Sequence, residues 1–211
     1  MDEYQKLAEV FGFPGSVRLA RILQMLMTPE EARWLARLPA TPGQLAQALD
    51  CTAEEARKAL QGLAAKGFAL AGEATPTGTL YKLVGIGWLG DQVLANPQYE
   101  RLGTEFYDLW RDFFNQEQIP QDQQRIKEPT PAKFRVLPAE GALPAEGVRD
   151  YERASWIVGQ ARVIAVAKCP CRRRERRCDH DLEVCLWLND VGEYAISQGI
   201  ARAISRDEAV S

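Results

Sequence analysis

Four of the five cysteines of this chain lie within one short stretch, and this limits what the C-terminal part can fold into. They are separated by one, six and six residues and are Cys169, Cys171, Cys178 and Cys185. The single histidine, His180, lies in the same stretch. In a reducing compartment, thiols this close together usually bind a metal rather than form disulfides. We therefore expect this part of the chain to fold around a metal centre.

The spacing of the cysteines bears on which metal centre they would hold. Four thiolates within reach of one point suit a tetrahedral zinc ion or a 4Fe–4S cluster, with a 2Fe–2S cluster as a further alternative. Zinc sites usually present two close pairs of cysteines, because the turn between paired ligands directs both sulfurs at one ion. Here only Cys169 and Cys171 form a close pair. This pattern favours the larger iron–sulfur core over zinc, and over four unligated buried cysteines.

Arginines dominate the segment between the second and third of these cysteines. They are Arg172, Arg173, Arg174, Arg176 and Arg177. A cluster with four thiolate ligands is an anion, so nearby guanidinium groups would offset its charge and favour its reduced form. Five arginines are too many to face one cluster, so we expect some to bind an acidic partner protein. We expect His180 beside the cluster or at the surface, because four cysteines already suffice as ligands.

The motif resembles the CPCR…CDHPxEVCL signature of a family of iron–sulfur proteins from anaerobic microbes, described as 4Fe–4S or ferredoxin-like proteins. The matching segments are residues 169–172, 178–180 and 183–186. Residues 28–32 and 134–138 resemble upstream segments of the same family, so the resemblance covers most of the chain. It implies a single 4Fe–4S cluster on the four cysteines and a role in electron transfer.

The chain departs from that family in two respects. Asp181 stands where the family commonly has proline, and many relatives continue into ferredoxin modules with further cysteines. If such a module is normally required, a second redox centre would come from a partner protein or be missing. We therefore expect a redox partner.

The N-terminal part carries two helix-start motifs of the S/T-x-x-E type. Thr28 with Glu31, and Thr52 with Glu55, predict helices because hydroxyl and carboxylate together satisfy free N–H groups of the first turn. A helix from Thr41, a turn and the helix from Thr52 are followed by two predicted strands, at residues 68–71 and 80–84, with a tip at 72–79. This is the element order of a winged helix.

Further along, an aromatic stripe at helical spacing predicts an amphipathic helix at residues 99–117 that serves as core or dimer seam. Residues 116–124 are expected to form a polar loop. A short strand is predicted at 134–137, a helix at 151–161, a buried strand at 163–167, and a last helix after Ser205.

We therefore expect an α+β fold that is mainly helical, with an N-terminal winged helix and a small C-terminal α/β iron–sulfur domain. The expected boundaries are 1–90 for the winged-helix-like domain, 91–128 for the amphipathic helix and linker, and 129–211 for the cluster-binding domain. A homodimer could form through the winged-helix region or the 99–117 helix.

Charge argues against DNA as the main partner of the winged helix. Between residues 41 and 84 four cations face four acids, whereas DNA binding needs a basic surface. The expected recognition helix opens with Glu54 and Glu55, and the hairpin tip has no cation. We expect this domain to serve protein contact or dimerisation instead.

The leading functional prediction is one-electron transfer by a small carrier or accessory subunit. A winged-helix regulator that senses an iron–sulfur cluster is the first alternative, favoured by the equal spacing of Cys171, Cys178 and Cys185. A zinc-stabilised adaptor is the second. We do not expect an enzyme, since a single histidine restricts Ser-His-Asp chemistry to the cysteine stretch.

The expected location is the cytoplasm, without a membrane segment. The longest aliphatic run, residues 163–167, is far shorter than the roughly 20 residues of a membrane span, and the acidic, amphipathic start does not resemble a signal peptide.

Overall fold

The computed structural model describes residues 2–76, 78–125 and 153–210, which are mainly helical with two small antiparallel sheets. The expected α+β class is confirmed. Contacts divide the chain into two compact units, the first of Met1–Leu94 with Gln98–Ile119 and the second of Ala95–Pro97 with Pro120–Ser211.

The first unit is built from helices and one hairpin. The elements up to the hairpin are α1 (Glu3–Val10), α2 (Val17–Leu26), α3 (Pro29–Leu35), α4 (Pro42–Leu49), α5 (Ala53–Ala65), β1 (Ala69–Thr75) and β2 (Gly78–Leu83). They are followed by α6 (Ile86–Ala95), a 3₁₀ helix (Pro97–Leu102), α7 (Gly103–Phe113) and a π-helical segment (Phe114–Gln118). Residues 95–97, and α8 (Ile119–Arg125) from Pro120 onwards, belong to the second unit.

Side-chain caps begin these helices where local sequence predicts them. In α3, the Glu31 backbone N–H donates to the Thr28 hydroxyl and the Thr28 N–H donates to the Glu31 carboxylate. The same reciprocal pair joins Thr52 and Glu55 at α5. Both predicted capping boxes are thus confirmed.

The hairpin is longer than predicted. β1 pairs with β2 from Ala69 opposite Leu83 to Thr75 opposite Gly78, so most of the expected tip at residues 72–79 is strand. Ala40, just before α4, forms an isolated antiparallel bridge with Tyr81. Hydrogen-bonded backbone therefore precedes α4, at Ala40, and follows α5, in β1.

The aromatic stripe of α7 lies in the core of the first unit, as expected. Phe106, Trp110 and Phe113 are fully buried, and the Phe113 ring packs edge-on against Phe13 with centroids 4.8 Å apart. This buried face explains why α7 is amphipathic.

Gly87 and Gly90 lie within α6, which begins at Ile86. Gly90 lets the Trp110 ring approach closely, since a Cβ there would lie 3.1 Å from it. One prediction about this part of the chain is wrong. Residues 116–124, predicted as a loop, are helical, and Arg18 binds both Gln116 and Glu117 of this segment.

The second unit contains a three-stranded sheet of order β4-β3-β5, antiparallel throughout. Its elements are α9 (Ala154–Gln160), β3 (Ile164–Lys168), α10 (Pro170–Glu175), β4 (Glu183–Leu188), α11 (Asn189–Ser197), β5 (Ala201–Ala203) and α12 (Arg206–Val210). The predicted buried strand and last helix are confirmed, and α9 is the described part of the helix predicted at 151–161. The strand predicted at 134–137 lies outside the described residues.

Both faces of this sheet are covered. On one face, Ile164 packs in a small core with Val158 and Ala161, and Leu188 and Ile204 adjoin it. On the other face, α11 packs on β3 and β4, where Ala165, Trp187 and Ala195 are buried. The close approach of α11 depends on Gly192, because a Cβ at that position would lie 2.6 Å from the Trp187 carbonyl oxygen.

We expect Gly192→Ala to destabilise the protein by about 1–3 kcal/mol, since the added methyl forces α11 away from β4. Chemical denaturation followed by circular dichroism measures this. Gly159→Ala is the matched control: it also lies in a helix of this unit, nothing lies within 4 Å of its added Cβ, and a gain of up to ~1 kcal/mol is expected. Equal stability of the two variants would contradict the packing argument.

Candidate metal centre

The antiparallel ladder of β3 and β4 brings the first and last cysteines of the motif together. Ala167 pairs directly with Cys185, and beyond a one-residue register shift the Cys169 N–H donates to the Leu182 carbonyl at 2.7 Å. Paired residues share a face of a ladder, and the face repeats every second residue. Cys169 follows Ala167 by two and lies one residue beyond the end of β3, so Cys169 and Cys185 lie at the same end of the ladder.

The other two cysteines lie on the connection that leaves and re-enters this ladder. Pro170 begins α10 at its first position, which places Cys171 in the first turn. Arg176, in the left-handed conformation at φ 49°, ends the helix, and Cys178 follows two residues later. The four cysteines therefore sit on one β-helix-loop-β connection, which we call the cysteine connection (residues 169–185).

The four thiols differ in exposure. Cys169 and Cys185, at the base of the cysteine connection, are half-buried, whereas Cys171 and Cys178, on its outer arm, are exposed. Among the residues that the structure describes, no three His, Cys, Asp or Glu side chains are grouped closely enough to hold a metal ion. The donor set thus fits a tetrathiolate centre in number and chemical type, and the outer arm would have to close for all four thiols to reach one point.

Trp187 contacts the cysteine at the end of this connection. Its indole Nε1–H donates to Cys185 Sγ at 3.2 Å, and the Trp187 side chain is only 7% exposed. The two residues are two apart in β4, so their side chains share the face that α11 covers.

The arginines of the cysteine connection lie in different environments. Arg173 is buried and donates to the Ala95 carbonyl in the same unit, and Arg174, largely buried, pairs with Glu175 at 3.1 Å. Arg172 donates to the Asp181 carbonyl at 2.5 Å, which ties α10 to the returning chain. Of the five arginines, Arg176 and Arg177 are exposed, as are Asp179, His180 and Asp181 after them, and Arg177 lies 3.6 Å from the Glu175 carboxylate.

An ion-pair network holds the start of β4. Arg202 of β5 contacts the Glu183 carboxylate at 3.1 Å and the Glu208 carboxylate at 2.7 Å. The hydrogen bond to Glu183, followed by that to Glu208, raises the pKa of Arg202 above its ordinary value. Glu183 lies two residues before Cys185, so this network restrains the segment that presents the last cysteine.

Charges on α5, in the first unit, are paired among themselves. Arg57 contacts the Glu54 carboxylate at 2.6 Å, and Lys58 lies 3.7 Å from the same group. The Arg57 hydrogen bond lowers the pKa of Glu54. Lys66, at the end of α5, is bonded to Glu31 of α3. The cations of α5 therefore already have acidic neighbours within the unit.

Sequence reasoning missed two residues that shape the site, Trp187 and Gly192. The continuous apolar run of residues 184–188 could have indicated a strand, in which Trp187 lies on the same face as Cys185. Nothing in the local sequence marks Gly192, because its role depends on the distance between α11 and β4. Cys51, the fifth cysteine, is partly buried and packs against the core of the first unit.

We expect the thiols of the metal-free protein to differ in rate of alkylation by iodoacetamide. Cys171 and Cys178 should react severalfold faster than Cys169 and Cys185, because access to the sulfur limits the reaction. Peptide mass spectrometry over a time course measures each site, with the denatured chain as the control in which the difference disappears. Reaction of Cys185 as fast as Cys178 would contradict the described arrangement.

No family model, curated protein or solved structure matches the chain. Its resemblance to iron–sulfur proteins accordingly rests on the motif residues themselves and stays a prediction. In the described part of the chain, no helix has both the length and the apolar character that crossing a membrane requires.

Proposed function

We propose that this protein binds one 4Fe–4S cluster through Cys169, Cys171, Cys178 and Cys185. In this proposal it acts in one-electron transfer, as a small carrier or an accessory subunit in the cytoplasm. The observation that supports it best is the placement of all four thiols on one connection whose two ends are paired in a sheet. When bound, the cluster supplies a one-electron redox couple.

The residues of the cysteine connection have distinct tasks in this proposal. Cys169 and Cys185 are the donors held in place by the ladder, while Cys171 and Cys178 are carried by the outer arm and close onto the centre. Ordering of such an arm on ligand binding is expected, because metal binding and local folding are coupled. The Arg172 bond to the Asp181 carbonyl limits how far the arm can open.

The exposed outer arm also suits approach by a redox partner. Arg177 is 80% exposed at the end of α10, and Arg176 and His180 are exposed beside Cys178. The exposed Arg176 and Arg177 would attract acidic side chains of a partner protein, and the exposed Asp179 and Asp181 of the same segment would attract basic ones, so the partner has to match a mixed pattern of charge. We propose that this surface docks the partner.

The decisive test is analysis of protein purified without oxygen. We expect about four iron and four sulfide per chain with broad visible absorption, because four thiolates match the four irons of the cluster. Serine at any one of the four cysteines should remove most of the iron, as measured by metal analysis and absorbance.

Cys51→Ser is the matched control, since this thiol belongs to the first unit and packs on its core. Its variant should keep full iron content. A colourless, zinc-loaded wild-type protein would contradict the proposal and support the zinc-stabilised adaptor.

A cluster-sensing transcription regulator is the second candidate, favoured by the helix-turn-helix pair α4 and α5 followed by a hairpin. The paired charges of α5 count against it. We expect only weak binding to DNA from the gene's own promoter, with or without the cluster, in a fluorescence anisotropy titration across salt concentrations. Tight binding that weakens steeply with salt would favour the regulator instead.

A further inference from the structure

The indole of Trp187 contacts the candidate centre without being one of its predicted ligands. Its Nε1–H lies 3.2 Å from Cys185 Sγ. We propose that Trp187 is a positioning residue for the cluster: its N–H donates to the Cys185 thiolate, fixes the sulfur at the base of the site and sets the reduction potential. This inference rests on the proposed function.

The surroundings of Trp187 hold the indole in a defined position. Its ring is 7% exposed beneath α11, and Gly192 of that helix contacts the Trp187 backbone so closely that no side chain would fit between them. Trp187 and Cys185 share one face of β4, and the pairing of β4 with β3 keeps this segment extended. The donor therefore does not depend on a mobile side chain.

The chemistry of the pair indicates its effect. An indole N–H only donates, and a buried one needs an acceptor. A hydrogen bond to an ionised acceptor is stronger than one to a neutral group, so the bond gains strength when the thiol becomes a thiolate ligand. It withdraws negative charge from the sulfur. Since reduction adds an electron to the centre, the bond favours the reduced form.

The first arm of the test uses the metal-free protein. In the wild type, we expect the indole proton of Trp187 to exchange slowly with solvent in two-dimensional ¹⁵N NMR. Cys185→Ala should speed that exchange about tenfold and shift the resonance, because the acceptor is lost. Cys178→Ala is the control and should leave the resonance in place. An unchanged Trp187 signal in the Cys185→Ala protein would overturn the proposal.

The second arm compares Trp187→Phe with Trp156→Phe in the reconstituted protein. Trp156 belongs to the same unit but is 44% exposed, so its variant controls for the loss of an indole. We expect Trp187→Phe to disfavour reduction about tenfold, which for a one-electron couple is a midpoint about 59 mV more negative. Trp156→Phe should match the wild type. Circular dichroism reports whether each variant is folded, and if Trp187→Phe is not, the first arm decides.

The outcomes separate this inference from the proposed function. If the wild type takes up no cluster, the proposed function is wrong, and the role of Trp187 towards it falls too. If the wild type takes up the cluster but Trp187→Phe has the wild-type midpoint, only the role of Trp187 is wrong.

Discussion

The pairing of β3 with β4 is the constraint on which the candidate centre depends. In an extended chain the sixteen steps from Cys169 to Cys185 could separate these residues by about 50 Å. The ladder pairs Ala167 with Cys185 and joins Cys169 to Leu182, so both cysteines lie at the same end of the two paired strands. The strand hydrogen bonds and the burial of Ala165 and Trp187 beneath α11 offset the entropy of closing that loop. A ligand therefore has to order only the outer arm, not the whole motif.

Several individually weak contacts around the same sheet act on the segment that carries Cys185. Gly192 sets the distance of α11, α11 covers Trp187, and Trp187 reaches the sulfur of Cys185. On the far side, Arg202 links β5 to the residue that opens β4. Each contact is modest, and the ion pairs are largely exposed, so their individual contributions to stability are small. Their joint effect is to hold the last cysteine at a fixed point relative to the first.

Electrostatics in the second unit differ from what a count of residues conveys. The five arginines of the cysteine connection share one short stretch of sequence, yet the fold buries Arg173, pairs Arg174 with Glu175 and leaves Arg177 at the surface. A buried guanidinium must have partners, whereas the exposed Arg177, although 3.6 Å from Glu175, stays accessible to another protein. In the first unit, similarly, Glu54 offsets the positive charge of Arg57 on α5.

What the sequence by itself determined were features with local causes. The capping boxes at Thr28 and Thr52, the aromatic face of α7 and the buried strand β3 all arise from neighbours within a turn or from a periodicity along one element. The four cysteines as a group were equally visible, because their spacing is a property of the chain.

Only the tertiary structure decided which of those cysteines are neighbours and what surrounds them. The helix α6 forms through glycines that local rules count as breakers, because Gly90 packs against Trp110, and residues 116–124 are helical where Arg18 binds them. Likewise the register that joins Ala167 to Cys185, and the indole that reaches its sulfur, depend on hydrogen bonds and packing between segments distant in sequence. Such interactions have no signature at a single position, since each requires both partners to be in place.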